Sequence, residues 1–139
     1  MKSLATLIKL QKTRVDEQRV MVARLQEKAD ALAANIRQLE EQKAREQKAA
    51  REKPEQAITY GNFIKEAIKR GKILERERQI AEAAVNAARA TLAELFEEQK
   101  RYEIAEENRV EEERRTAKRK ETLALDEIGG VTHQRKKSS

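Results

Sequence analysis

The chain has no cysteine, no tryptophan, one proline and four glycines among 139 residues. Without cysteine there is no disulfide framework and no thiolate metal site, a usage that fits a cytoplasmic protein. Aromatic residues make up only 3% of the sequence and there is a single histidine, His133, close to the C-terminal end. No histidine-based triad, proton relay or metal cluster can be assembled from that. Gly61, Gly71, Gly129 and Gly130 are too scattered for a phosphate-binding loop. No apolar run approaches the roughly 20 residues that cross a bilayer, and the N-terminus lacks the apolar core of a signal peptide. No membrane insertion is expected. Carboxylates are abundant, but they sit on helix surfaces with no pocket to perturb them. The expectation is therefore a protein without catalytic residues, cofactor or metal.

What the chain does have is charge: 40% Asp, Glu, Lys and Arg beside 38% hydrophobic residues. Ordinary globular sequences are about a quarter charged. Such a balance is compatible with disorder, but the apolar residues here are periodic. Ile8, Val15, Val22, Ala29 and Ile36 fall seven apart, and so do Leu4, Gln11, Gln18, Leu25, Leu32 and Leu39. Taking the first set as a and the second as d, β-branched residues dominate a and leucine dominates d, the combination that favours two-stranded packing. Helix stability in so polar a chain must come from such lateral pairing.

The first helix is expected from about residue 3 to 53, with Ser3 as N-cap. Its last third, Glu40 to Lys53, loses the heptad but keeps strong helix formers. Pro54 then stops it, since proline lacks an amide proton and disfavours helix at Lys53. A short connection over 54–58 and a Thr59 cap lead into a second helix, about 59–128. Helices joined so closely are antiparallel neighbours. A second seam runs through Tyr60, Ile64, Ala67, Gly71, Leu74, Arg78, Ala81, Val85, Ala88, Leu92, Leu95, Gln99 and Tyr102. Folding the chain about Gln56 places Ile8 near Ile104, Val22 near Ala90 and Leu39 near Ile73. Gly129 and Gly130 are expected to cap the second helix, leaving a disordered basic tail over 131–139. The reading is all-α: a long antiparallel two-helix coiled-coil hairpin spanning 1–130, monomeric. The a/d pattern of the first helix also permits a parallel homodimer, hence a homo-oligomeric scaffold.

Two regions are left over by the pairing. Near the turn, Ile58, Tyr60, Phe63, Ile64 and Ile68 face mostly alanine and charged stems. They either cover one another and those stems or form a binding patch anchored by Phe63; half of the chain's Phe and Tyr residues lie here, which favours the patch. At the other extreme, Asn108 to Thr122 overhangs the first helix and is nearly all charge. Glu111, Glu112 and Glu113 precede Arg114, Arg115, Lys118, Arg119 and Lys120, and Leu123, Leu125 and Ile128 follow. A lone helix held by mixed charges and free to enter a partner is the functional reading; a solvated face is the plainer one. The net charge of +6 is spread without a continuous basic stripe, so no specific nucleic-acid binding is expected.

The opening Met1-Lys2-Ser3-Leu4-Ala5-Thr6-Leu7-Ile8-Lys9-Leu10, with Val15-Asp16-Glu17-Gln18-Arg19 after it, resembles the flagellar export protein FliJ family in its alphaproteobacterial form. Tyr60-Gly61-Asn62-Phe63-Ile64, Leu95-Phe96-Glu97-Glu98-Gln99-Lys100 and Leu125-Asp126-Glu127-Ile128-Gly129 extend the likeness over nearly the whole chain. The resemblance implies a cytoplasmic stalk of the flagellar type III export apparatus, peripheral to the inner membrane and similar to the central stalk of rotary ATPases. Its implied partners are the export ATPase hexamer, whose ring assembly it promotes, the cytoplasmic domain of the export gate protein, and export chaperones. The family's gate contact uses a Tyr-x-x-Phe aromatic, matched by Tyr60 and Phe63, with Ile64 and Ile68 beside it. Where the family continues with apolar residues one and two turns on, this chain has Ala67 and Arg70. The ATPase contact is expected at Arg109, Arg114, Arg115 and Arg119. A related stalk of an injectisome shares the same architecture.

Overall fold

A computed structural model describes residues 3–138, with side chains described as far as Val131. Helix α1 spans Leu4–Glu52, a single 3-10 turn covers Pro54–Gln56, and helix α2 spans Ala57–Ser138. The described residues contain no strand, and the two helices pack together as an all-α helical hairpin.

Local chemistry accounts for the first boundaries. Ser3 caps α1: its hydroxyl oxygen accepts the Thr6 amide at 3.2 Å, and its carbonyl accepts the Leu7 amide at 3.1 Å. At the far end Lys53 leaves the helical region, with φ −127° and ψ 97°. Pro54 forces this, because its ring excludes the preceding residue from helix. The connection is shorter than expected. The Gln56 amide donates to the Lys53 carbonyl at 3.0 Å, and the 3-10 turn passes directly into α2 at Ala57. Thr59 is thus an interior residue of α2 and not its cap.

The C-terminal boundary also differs. Helix α2 does not end at Gly129-Gly130 but continues through Ser138. Neither glycine has a positive φ, so no left-handed cap forms. A mid-helix glycine costs about 1 kcal/mol relative to alanine, which weakens a helix without ending it, and no proline follows. The side chains of the tail residues Arg135, Lys136 and Lys137 lie outside the described residues.

Contacts divide the chain into two compact units, Thr13–Leu95 and Met1–Lys12 with Phe96–Ser139. In the first unit the core is a single line. Ala29, Leu32 and Leu39 of α1 meet Ala67, Leu74, Ala81 and Val85 of α2, with Leu25, Ile36 and Phe63 packed alongside. Large residues on α1 face mainly small ones on α2. The register is antiparallel and slightly displaced from the expectation: Leu39 lies against Gly71, two residues before the Ile73 expected opposite it. Ile73 and Ala90 are exposed: each lies outside the seam series, whose neighbouring members Gly71, Leu74, Ala88 and Leu92 are buried or half-buried. Arg78, the charged seam member, is half-buried and bonded to Glu75 and Glu82 of its own helix, which raises its pKa.

In the second unit Gln11 is buried while Leu4, Leu7, Ile8 and Leu10 are half-buried, and Glu98, Gln99, Tyr102 and Glu106 supply the α2 side. Ile104, expected opposite Ile8, is exposed. From Glu107 to Val131 every residue is exposed except Glu111, which is half-buried. Among the described residues this part of α2 has no partner helix.

Gly71 offers a direct check of the seam. A Cβ added there would meet only Leu39 Cδ2, at 3.6 Å, an ordinary contact. Gly71→Ala should raise stability by about 1 kcal/mol through helix propensity, measured by urea denaturation of the full chain. A destabilised variant would show that the helices approach more closely than the structure has them.

Candidate protein-binding surfaces

Near the turn, the sequence-predicted patch separates into two flanks. Phe63, Tyr60 and Ile64 are half-buried, and Phe63 packs against the core. Ile58 is 80% exposed and Ile68 is 47% exposed. On a helix of 3.6 residues per turn, Phe63 and Ile68 fall on opposite sides of the seam, so they do not share one surface. Ala67, one turn on from Phe63, is 3% exposed and belongs to the core.

What accompanies Phe63 is an open groove between the helices. Its α1 wall is Asn35, Gln38, Leu39 and Gln42; its α2 wall includes Phe63, Glu66, Arg70, Ile73 and Glu77. Sequence reasoning placed Ile73 only as the residue opposite Leu39 and so missed it here. The signal was present in the spacing: Ile73 precedes Ile80 by seven residues and Leu74 already fills the seam position. The groove has an apolar base, an amide wall and edges of both charges. Those features suit an apolar segment with polar flanks, and no group in it is poised for covalent chemistry.

The second candidate is the unpartnered part of α2. All four arginines expected to contact the ATPase are engaged within their own helix. Arg109 reaches Glu106 at 2.7 Å and Glu113 at 2.6 Å, Arg114 reaches Glu111 at 2.8 Å, Arg115 reaches the same Glu111 at 3.3 Å, and Arg119 reaches Glu112 at 3.2 Å. Most of these are i,i+3 and i,i+4 pairs, which support a helix lacking lateral contacts. By contrast, Lys118 and Lys120 have no carboxylate partner among the described residues. They stand beside Leu123, which is exposed, and are the cations most available to an incoming surface.

Hydrogen bonds from Arg109 and Arg114 hold the Glu106 and Glu111 carboxyls below the ordinary range, and the same bonds raise both guanidinium values. A carboxyl depressed in the helix stabilises it above the unfolded pKa and loses that contribution as pH falls through the helical value. Acidifying the chain below the ordinary glutamate pKa of about 4.3 should therefore melt the 106–122 segment before the paired helices. Hydrogen exchange resolved by segment would detect this, and Arg109→Gln/Arg114→Gln should diminish the acid effect. Equal loss across both helices would contradict it.

Among the described residues no group of acidic or histidine side chains could hold a metal ion, and no helix is long and apolar enough to cross a membrane. No curated protein and no solved structure matches the chain. The family model described as Flagellar FliJ protein does, over residues 1–138. That span takes in the paired helices, the groove beside Phe63 and the unpartnered helix alike, and on it the chain belongs to the flagellar FliJ family, as a non-enzymatic, export-associated protein of flagellar biogenesis.

Proposed function

We propose that this chain acts as a stalk of the flagellar export apparatus. In this reading the unpartnered helix of α2, with the start of α1, enters the export ATPase hexamer and promotes ring assembly. The groove beside Phe63 receives the cytoplasmic domain of the export gate protein, and export chaperones dock on the same stalk, which works in the cytoplasm at the inner-membrane apparatus. The observation that carries the reading is the helix from Glu107 to Val131: it is exposed but for half-buried Glu111 yet held by its own ion pairs. A helix that stays formed without a partner is preorganised, so binding loses less conformational entropy than a disordered segment would.

The first test is ATPase activity and ring formation of the cognate export ATPase with and without the chain. Stimulation with hexamers appearing is expected, and Lys118→Glu/Lys120→Glu should reduce it at unchanged helicity. No stimulation by the wild-type chain would overturn the ring reading. For the gate, Phe63→Ala should weaken binding of the gate's cytoplasmic domain about tenfold, equivalent to about 1.4 kcal/mol. Ile68→Ala, on the opposite flank, should leave affinity unchanged. Equal losses in both variants would remove the groove as the contact.

A further inference from the structure

The first helix holds two glutamines where its pattern calls for leucine. Gln11 and Gln18 occupy d positions, and Gln11 is buried to 1% exposure. Both find their partners on α2. The Gln11 side-chain amide donates to Glu98 Oε2 at 3.2 Å, and the Tyr102 hydroxyl donates to the other oxygen of that carboxylate at 3.3 Å. The Gln18 amide donates to the Ala88 carbonyl at 3.0 Å, reachable because alanine leaves the backbone uncovered. Gln99, beside Glu98, leaves its Oε1 buried without a hydrogen-bond partner. A leucine at 99 would avoid that cost, and leucines at 11 and 18 would avoid burying an amide between the helices. This polar layer is poorly explained as a stabilising device.

We infer that Gln11 and Gln18 determine which helix α1 pairs with. Read alone, α1 has the β-branched a positions and leucine-rich d positions of a parallel two-stranded coiled coil. In such a pair of α1 copies, d faces d, so Gln11 would meet Gln11 and Gln18 would meet Gln18. Glu98, Tyr102 and the Ala88 carbonyl would all be absent. In the hairpin each amide donates to a carboxylate or a backbone carbonyl, whereas in a pair of α1 copies it could bond only the same amide of its counterpart. A buried polar side chain that is better matched in one pairing than in another selects between them. Replacing both glutamines by leucine would turn positions 4, 11, 18, 25, 32 and 39 into an unbroken leucine series. The glutamines thus give up stability for fidelity: they keep α1 on α2 of its own chain.

The test uses the full chain, wild type and Gln11→Leu/Gln18→Leu, each also carrying Leu4→Cys. The chain has no cysteine of its own, so the introduced thiol reports on α1 alone. Sedimentation equilibrium should give one-chain mass for the wild type. The double variant should melt higher and shift to two-chain mass, with the dimer fraction rising at least tenfold and interchain disulfides forming through that thiol under mild oxidation. Gln11→Leu alone should give an intermediate dimer fraction. A double variant that stays at one-chain mass would overturn the inference and assign pairing to flanking charges such as Arg14 and Arg19. A dimer without the disulfide crosslink, the mark of α1 exchanged onto the α2 of another copy, would also overturn it, as would a wild-type chain already at two-chain mass.

Discussion

Two helices in contact share only one line of burial, and everything else in this structure follows from that restriction. A globular core is closed on all sides; here each seam residue has a partner on one side and solvent on the others. The buried apolar positions are few, and most on α2 are alanine: Ala67, Ala81 and Ala88. Small residues let α2 approach the larger side chains of α1 closely, which recovers dispersion contacts that a thin interface would otherwise lack. The charged faces then serve solubility and local helix support, since neither can be supplied from a core.

This economy explains how much could be read beforehand. A seam repeating every seven residues leaves a clear mark, and every residue assigned to it on both helices is buried or half-buried. Pro54 and Ser3 act through covalent geometry and one hydrogen bond, so their roles were also legible. The register was not. It depends on how many residues the turn consumes, and a 3-10 turn running straight into α2 differs from a capped loop by less than the sequence reveals. Leu39 meets Gly71, and Ile73, outside the seam series, lies on the surface as a wall of the Phe63 groove. The glycine pair at 129 and 130 misled for another reason: it permits a left-handed cap without requiring one.

The binding surfaces were legible in outline only. Counting apolar residues near the turn found Phe63 but merged two flanks, because composition carries no angle; helical spacing separates Ile68 from it. Counting arginines in the overhang found a charged segment but chose cations already paired within their own helix, Arg119 with Glu112 seven residues back and the others with carboxylates three or four residues away. That spacing, visible in Glu106, Arg109 and Glu113, was the better guide. A cation is available to a partner when it makes no ion pair within its own helix, which turns attention to Lys118 and Lys120.

The unpartnered helix also bears on how long the molecule survives in a cell. Backbone hydrogen bonds that no neighbouring helix covers open locally at far smaller free energy than global unfolding requires. When such opening is fast, cleavage by a protease follows the population of the open form. Glu107 to Val131 is rich in lysine and arginine and exposed throughout apart from half-buried Glu111, so it is the segment a trypsin-like protease samples first. A partner enclosing that helix would suppress the openings, and copies left without a partner would be the ones removed. The same projecting segment therefore couples turnover of the chain to its occupancy.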